Sequence, residues 1–378
     1  MIEVDAREFM AEGYLILRQV IPPEMLQPLR QSAERVLYRR WPQGISADTF
    51  QPMIHGLERY IDEDSANLVE FRLHENVLGT TRQLMGGVEV APSAIFMMYN
   101  PVRDFGPWWW HRDVSPLGTK GPLQGLQQDT LANGPVHLHW NIALYDDDVF
   151  WLVPGSHRRF NSEAENRQLS SSEYEPIDGG MAIELEAGDG IVYLTPILHW
   201  GSNYSTKLRR TLQYTYRSFN NGSLSAAHVF HWTPDLVHNL PAHLASRFKH
   251  FLALWEREYD VMEGIFRAMI ARDEAGFLHG LAELHAGEVG RMICVIYLSK
   301  IAKGAVRDTR GPVGSRFTRE EGRVLWQRFA PFDRLLQVDE PYLVPGFQTK
   351  EPSTYNFNEI PTMEVDEFIA SWDEQAEG

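Results

Sequence analysis

The sequence predicts a mainly β core with added helices, of the sandwich or jelly-roll kind. Three observations support this. Between residues 88 and 220, short segments rich in β-branched and aromatic residues alternate with turns built on Gly, Pro and Asp. Before that stretch, and again from about residue 236, apolar residues recur at helical spacing. The chain has 378 residues and is 43% apolar, enough for a sizeable core.

The elements follow in order. A helical pattern runs from Ala6 to Glu12, followed by the β-branched run Tyr14-Leu-Ile-Leu-Arg-Gln-Val-Ile21. Pro22-Pro23 opens a helix expected to reach Leu37, with Leu26, Leu29, Ala33 and Val36 on one side. Strands are expected at 90–98, 136–145, 150–153, 181–185, 190–196 and 210–219. Many short strands with polar turns indicate two packed sheets. We expect a β domain with its N-terminal helices over 1–235, a helical extension over 236–345 and an acidic tail over 346–378. Residues 351–378 carry eight acidic side chains and no basic ones, and Phe368, Ile369 and Trp372 could dock one short helix. The apolar helices of 236–345 need a surface to cover. That surface is either the outside of the β domain, with part of the extension closing over a pocket, or a second copy of the chain; monomer and homodimer both remain open.

A net charge of −16 weighs against a general nucleic-acid surface. No apolar run approaches the roughly 20 residues needed to cross a bilayer. The N-terminal residues lack the basic and apolar regions of a signal peptide. Cys294 is the single cysteine, which excludes an intrachain disulfide and a thiolate cluster. A cytoplasmic protein acting on a small molecule, with neither nucleic acid nor membrane as partner, is expected.

Two short pieces carry the chemistry. In Trp110-His111-Arg112-Asp113, the histidine and the aspartate are two residues apart, so on an extended strand both face the same way. His199 ends a β-rich segment that opens at Gly188-Asp-Gly190. Two histidines and one carboxylate are the ligand set of a facial triad, which holds Fe(II) and leaves positions open. Arg210 lies eleven residues beyond His199. Strand alternation puts Arg210, Leu212, Tyr214 and Tyr216 on one face and Arg209, Thr211, Gln213 and Thr215 on the other. The aromatic face reads as the interior. An arginine pointing inward needs an anionic partner, such as the far carboxylate of a dicarboxylate. Arg209 reads as a solvated surface charge.

Together these residues resemble the phytanoyl-CoA dioxygenase family of Fe(II)/2-oxoglutarate-dependent oxygenases. The opening Phe9-Met-Ala-Glu-Gly-Tyr14, the His111-Arg112-Asp113 motif, the turn Leu152-Val-Pro-Gly-Ser-His157, and His199 with Arg210 carry the resemblance over roughly residues 5–220. It implies a double-stranded β-helix (a cupin-like jelly roll) and iron held by His111, Asp113 and His199. It also implies Arg210 on 2-oxoglutarate, His139 and Asn141 lining the cosubstrate pocket, and O₂ as the oxidant. A hydroxyl that supports the cosubstrate would come from Ser202 or Ser205. The stretch Gly201-Ser-Asn-Tyr-Ser205 is shorter than the family's common form. Halogenating relatives lack the carboxylate ligand, so Asp113 weighs against halogenation; hydroxylation is expected, with desaturation, epoxidation and ring closure left open.

Trp108, Trp110 and Tyr99 are expected to wall the substrate pocket; three adjacent tryptophans cannot all face the same way on a strand, and the alternative reading puts one or two of them in the core. His137 and His139 form a second pair that could hold zinc only with further ligands. His157 reads as part of a structural turn. Two rivals stand beside the oxygenase: another metal enzyme on a cupin-like barrel that ignores 2-oxoglutarate, and a non-catalytic binding protein on the same core.

Overall fold

Local signals start the fold as the sequence suggests. Asp5 caps helix α1 (Ala6–Glu12) by accepting hydrogen bonds from the Arg7 and Glu8 amides, and Gly13 ends the helix in the left-handed region. Pro23 opens helix α2 (Pro23–Arg40), which is closed by the basic pair Arg39 and Arg40. The computed structural model describes residues 1–45, 53–87, 89–100, 106–114, 122–219, 222, 224, 230–284, 287–307, 311–347, 352–356 and 358–372. The chain forms two compact units, interleaved along the sequence. Met1–Arg112, His137–Ser218 and Phe230–Leu252 make the first; Asp113–Val136, Phe219–Val229 and Ala253–Gly378 make the second.

The first unit is built on two sheets. Its strands, in chain order, are β1 (Tyr14–Leu17), β2 (Met53–Ile54), β3 (Glu89–Tyr99), β4 (His137–Ala143), β5 (Phe150–Leu152), β6 (Met181–Ala182), β7 (Gly190–Leu194), β8 (His199–Gly201) and β9 (Arg210–Phe219). The larger sheet has the order β1-β7-β4-β9-β3-β2, and the smaller has the order β6-β5-β8. Ala143, Ile191 and Tyr193 of the larger sheet pack against Phe150 and Leu152 of the smaller, with Ile183, Leu185 and Ile197 between them. This two-sheet core is the expected jelly roll. Helices α2, α3 (Asn67–Arg72) and α4 (Thr80–Leu84) cover the other face of the larger sheet. There the Tyr214 hydroxyl donates to the Leu68 carbonyl (2.7 Å) and the Trp140 indole to the Thr81 hydroxyl (3.0 Å).

The structure trims some expected strands. β1 stops at Leu17 because Gln19 turns to φ 51° and Asp189 holds both the Arg18 guanidinium and the Gln19 amide. β6 keeps two residues, and Leu185 retains only a bridge to Asp147. β2 and β8 are too short for a periodic signal to reveal them.

His157 packs under α1. Its Nε2–H donates to the Met10 carbonyl (3.0 Å), and its ring lies where a Cβ at Gly13 would fall. Gly13 also has φ 86°, which side chains disfavour. Gly13→Ala is therefore expected to destabilise the protein by roughly 2–4 kcal/mol, read as a lower denaturant midpoint with unchanged slope. A midpoint equal to wild type would show that the ring moves aside freely.

The second unit is mostly helical. Helix α5 (Leu123–Asn133) and helix α7 (Arg319–Leu335) both pack against α6 (Glu288–Arg307). Phe368 of α8 (Val365–Ala370) and Trp372 sit among Phe277, Phe329 and Phe332, so this part of the acidic tail is docked, as its apolar residues suggest. The short pair β10 (Gln337–Tyr342) and β11 (Ser353–Tyr355) lies in the same unit. No helix among the described residues is long and apolar enough to cross a membrane.

Candidate metal centre

His111 and His199 are adjacent because their backbones pair. The His111 amide donates to the His199 carbonyl (2.8 Å) and the His199 amide to the His111 carbonyl (2.9 Å). Their rings lie 4.3 Å apart. Each Nδ1 meets a carbonyl oxygen: Trp109 for His111 at 2.9 Å and Ile197 for His199 at 3.0 Å. A carbonyl only accepts, so each Nδ1 carries the proton and each Nε2 offers its lone pair. Asp113 follows directly in the chain after Arg112. One ligand atom from each of His111, Asp113 and His199 lies within 4.8 Å of the others, and none of the three residues is more than 9% exposed. Two imidazoles and one carboxylate suit ferrous iron, and the triad fits that ion.

Beside the triad lies the inner face of the larger sheet. Paired residues across antiparallel strands share a face. His139 pairs with Tyr193 and Thr215, and Asn141 with Ile191 and Gln213. The His139 ring meets Tyr193 edge-on at 5.5 Å, and Tyr193 lies 5.4 Å from the His199 ring. Gln213 donates to the Tyr193 hydroxyl (3.1 Å). Asn141 is buried, and neither its side-chain oxygen nor its nitrogen has a hydrogen-bond partner among the described residues. Unpaired buried amides are costly, so a polar group belongs against it.

The family model for phytanoyl-CoA dioxygenase matches residues 9–211. The chain belongs to the phytanoyl-CoA dioxygenase family. It is an enzyme of the Fe(II)/2-oxoglutarate-dependent class. No curated protein matches it significantly. Among solved structures it is similar to AviO1 from Streptomyces viridochromogenes Tue57, at 21% identity over 58% of this chain and 97% of that one, with TM-score 0.42. It is also similar to the non-haem α-ketoglutarate-dependent epimerase SnoN from nogalamycin biosynthesis (17% identity, 56% and 79% covered, TM-score 0.41). A third is EctD from S. alaskensis with 2-oxoglutarate and 5-hydroxyectoine (18% identity, 57% and 76% covered, TM-score 0.41).

Within this family framework, several expected site residues lie elsewhere. Arg210 is on the helix-covered face. It pairs with Glu34 of α2 (2.7 Å) and donates to the Asn100 carbonyl (2.9 Å). The face shared with His139 and Asn141 is the polar one: it carries Thr211, Gln213 and Thr215, and alternation adds Arg209 just before the strand. Arg209 is no surface charge; it is buried and paired with Asp147 (2.9 Å). The register is one residue off from the sequence expectation, because the aromatic face packs under helices and not into the barrel. The same shift applies at β3. Tyr99 accepts from the Trp41 indole on the helix side (2.8 Å), whereas Met98 touches Arg209 (3.2 Å).

Trp110 is core: it is fully buried, stacked on Trp200 at 5.4 Å and surrounded by Val153, Leu169, Ile177 and Leu198. Alternation brings Trp109 to the side of His111, with rings 5.8 Å apart. Trp108, 39% exposed, stacks on Trp109 at 4.2 Å. The Ser202 hydroxyl donates to the Val149 carbonyl (3.1 Å), and the Ser205 oxygen accepts from the Lys207 amide (3.2 Å). His137 touches the Ser93 hydroxyl (3.4 Å) and belongs to no metal-holding group among the described residues.

Proposed function

We propose that this enzyme hydroxylates a C–H bond of a small molecule while converting 2-oxoglutarate to succinate and CO₂. The convergence of His111, Asp113 and His199 carries the reading. When bound, iron and 2-oxoglutarate would together supply the electrons that reduce O₂ and so activate it for attack on a C–H bond. The protein supplies position. The two imidazoles are held in one tautomer by backbone carbonyls. Asp113 completes the set, which favours hydroxylation over halogenation. Asn141 offers both a donor and an acceptor to the cosubstrate. Phe150, Tyr193 and Trp109 flank the histidines and keep water from them. The Trp108–Trp109 stack suits a planar or apolar substrate face.

Arg209 takes the part that the family pattern assigns to an arginine, holding the far carboxylate of 2-oxoglutarate. Arg209→Ala is expected to raise the 2-oxoglutarate requirement by about tenfold or more. Arg210→Ala loses a pair with Glu34, which is 46% exposed, and should leave that requirement nearly unchanged. The reverse outcome would return the role to Arg210. Succinate formation that depends on Fe(II), O₂ and 2-oxoglutarate tests the whole reading; full activity in chelator-stripped protein would overturn it.

A further inference from the structure

We propose that Asp147 is a positioning residue that orients Arg209 for the far carboxylate of the cosubstrate; the inference rests on the reading above. Asp147 lies in the acidic run Asp146-Asp147-Asp148, which as sequence looks like a solvated turn. In the fold it is buried, and its backbone pairs both ways with Leu185 at 2.9 Å. One carboxylate oxygen accepts from the Val149 amide (2.9 Å). The other accepts from Arg209 Nε (2.9 Å) and from the Thr211 hydroxyl. Burial alone would raise its pKa, but Arg209, the Thr211 hydroxyl and the Val149 amide together hold it below the usual carboxylate range.

The division of donors on Arg209 is informative. Asp147 takes Nε, the side of the guanidinium. Among the described residues the end-on pair meets only weak acceptors: Nη1 reaches the Asn203 side chain at 3.5 Å, and Nη2 reaches the Met98 sulfur at 3.2 Å. Two strong donors are thus left to a sulfur and a long amide contact. End-on Nη1 and Nη2 are the fork that grips a carboxylate through two parallel bonds. Asp147 offsets the buried guanidinium's positive charge and fixes its plane before a ligand arrives, which spares the ligand the ordering cost.

Anaerobic titration of Fe(II)-loaded protein tests this, with 2-oxoglutarate and pyruvate as probes. Pyruvate carries the same 2-oxo acid head but no far carboxylate. Wild type should prefer 2-oxoglutarate. Asp147→Asn should weaken 2-oxoglutarate by about tenfold and leave iron and pyruvate binding within about twofold. Equal weakening of both acids would reveal a merely structural role and overturn the proposal, as would unchanged 2-oxoglutarate affinity. If Asp147→Asn does not fold, Thr211→Val should shift 2-oxoglutarate alone in the same direction, and no shift overturns the idea. A wild type without preference for 2-oxoglutarate would instead remove the assignment of Arg209 on which the proposal stands.

Discussion

Arg112→Met is expected to destabilise the protein by about 3–5 kcal/mol and to impair metal binding. The residue lies between His111 and Asp113 of the triad, and its side chain is fully buried. It donates to the Ser156 carbonyl (2.7 Å), the Pro196 carbonyl (2.6 Å) and the Asn161 side-chain oxygen (2.8 and 3.1 Å). It thereby ties the His111–Asp113 segment to the Pro-Gly-Ser turn and to the segment that leads into His199. Burial pulls its guanidinium down to about 9, because the charge is fully removed from water there. Methionine fills much of the volume but takes a donor from three acceptors; the Ser156 carbonyl keeps the Arg159 amide (3.4 Å), whereas the Pro196 carbonyl loses its guanidinium bond, at about 1–3 kcal/mol. Denaturant unfolding measures the loss, and iron titration of the folded fraction measures the second effect. A variant as stable as wild type would mean that water replaces the guanidinium.

His199→Ala is expected to abolish iron retention and succinate formation while the fold persists. Strand β8 pairs through its backbone, with His199 opposite Leu152 and His111, and alanine preserves those bonds. The lost ring leaves space beside Phe150 and Tyr193, at roughly 1–3 kcal/mol. Loss of an outer-shell partner alone weakens metal sites by about 10–100-fold; loss of a ligand from a three-residue set should exceed that. Elemental analysis of iron per chain, with a melting curve as control, decides the matter. One iron retained per chain at wild-type affinity would show that His199 is no ligand.

Much of this site is legible in the amino-acid sequence. The two-residue spacing of His111 and Asp113 places both on one strand face whatever the remainder of the chain does. A turn and a β-rich run ending in His199 mark a distant strand able to supply the third ligand. The β-rich middle and helical flanks follow from periodicity, and the β9 limits, Arg210–Phe219, match the expectation residue for residue.

Which way each strand faces is not legible there. Alternation sorts β9 into two sets of side chains, and the structure buries every residue of both. The ordinary rule sends aromatic residues inward and polar ones to solvent. Here Tyr214 and Tyr216 meet α3, while Arg209 and Thr211 meet Asp147 and Gln213 meets Tyr193, because covering helices supply an apolar outside and buried polar groups pair with one another between the sheets. The same physics hides Asp147 in an acidic turn and sends Trp110, not Trp109, into the core. Alternation along one strand belongs to the sequence; the choice between its two faces depends on what packs against each, and only the tertiary structure makes it.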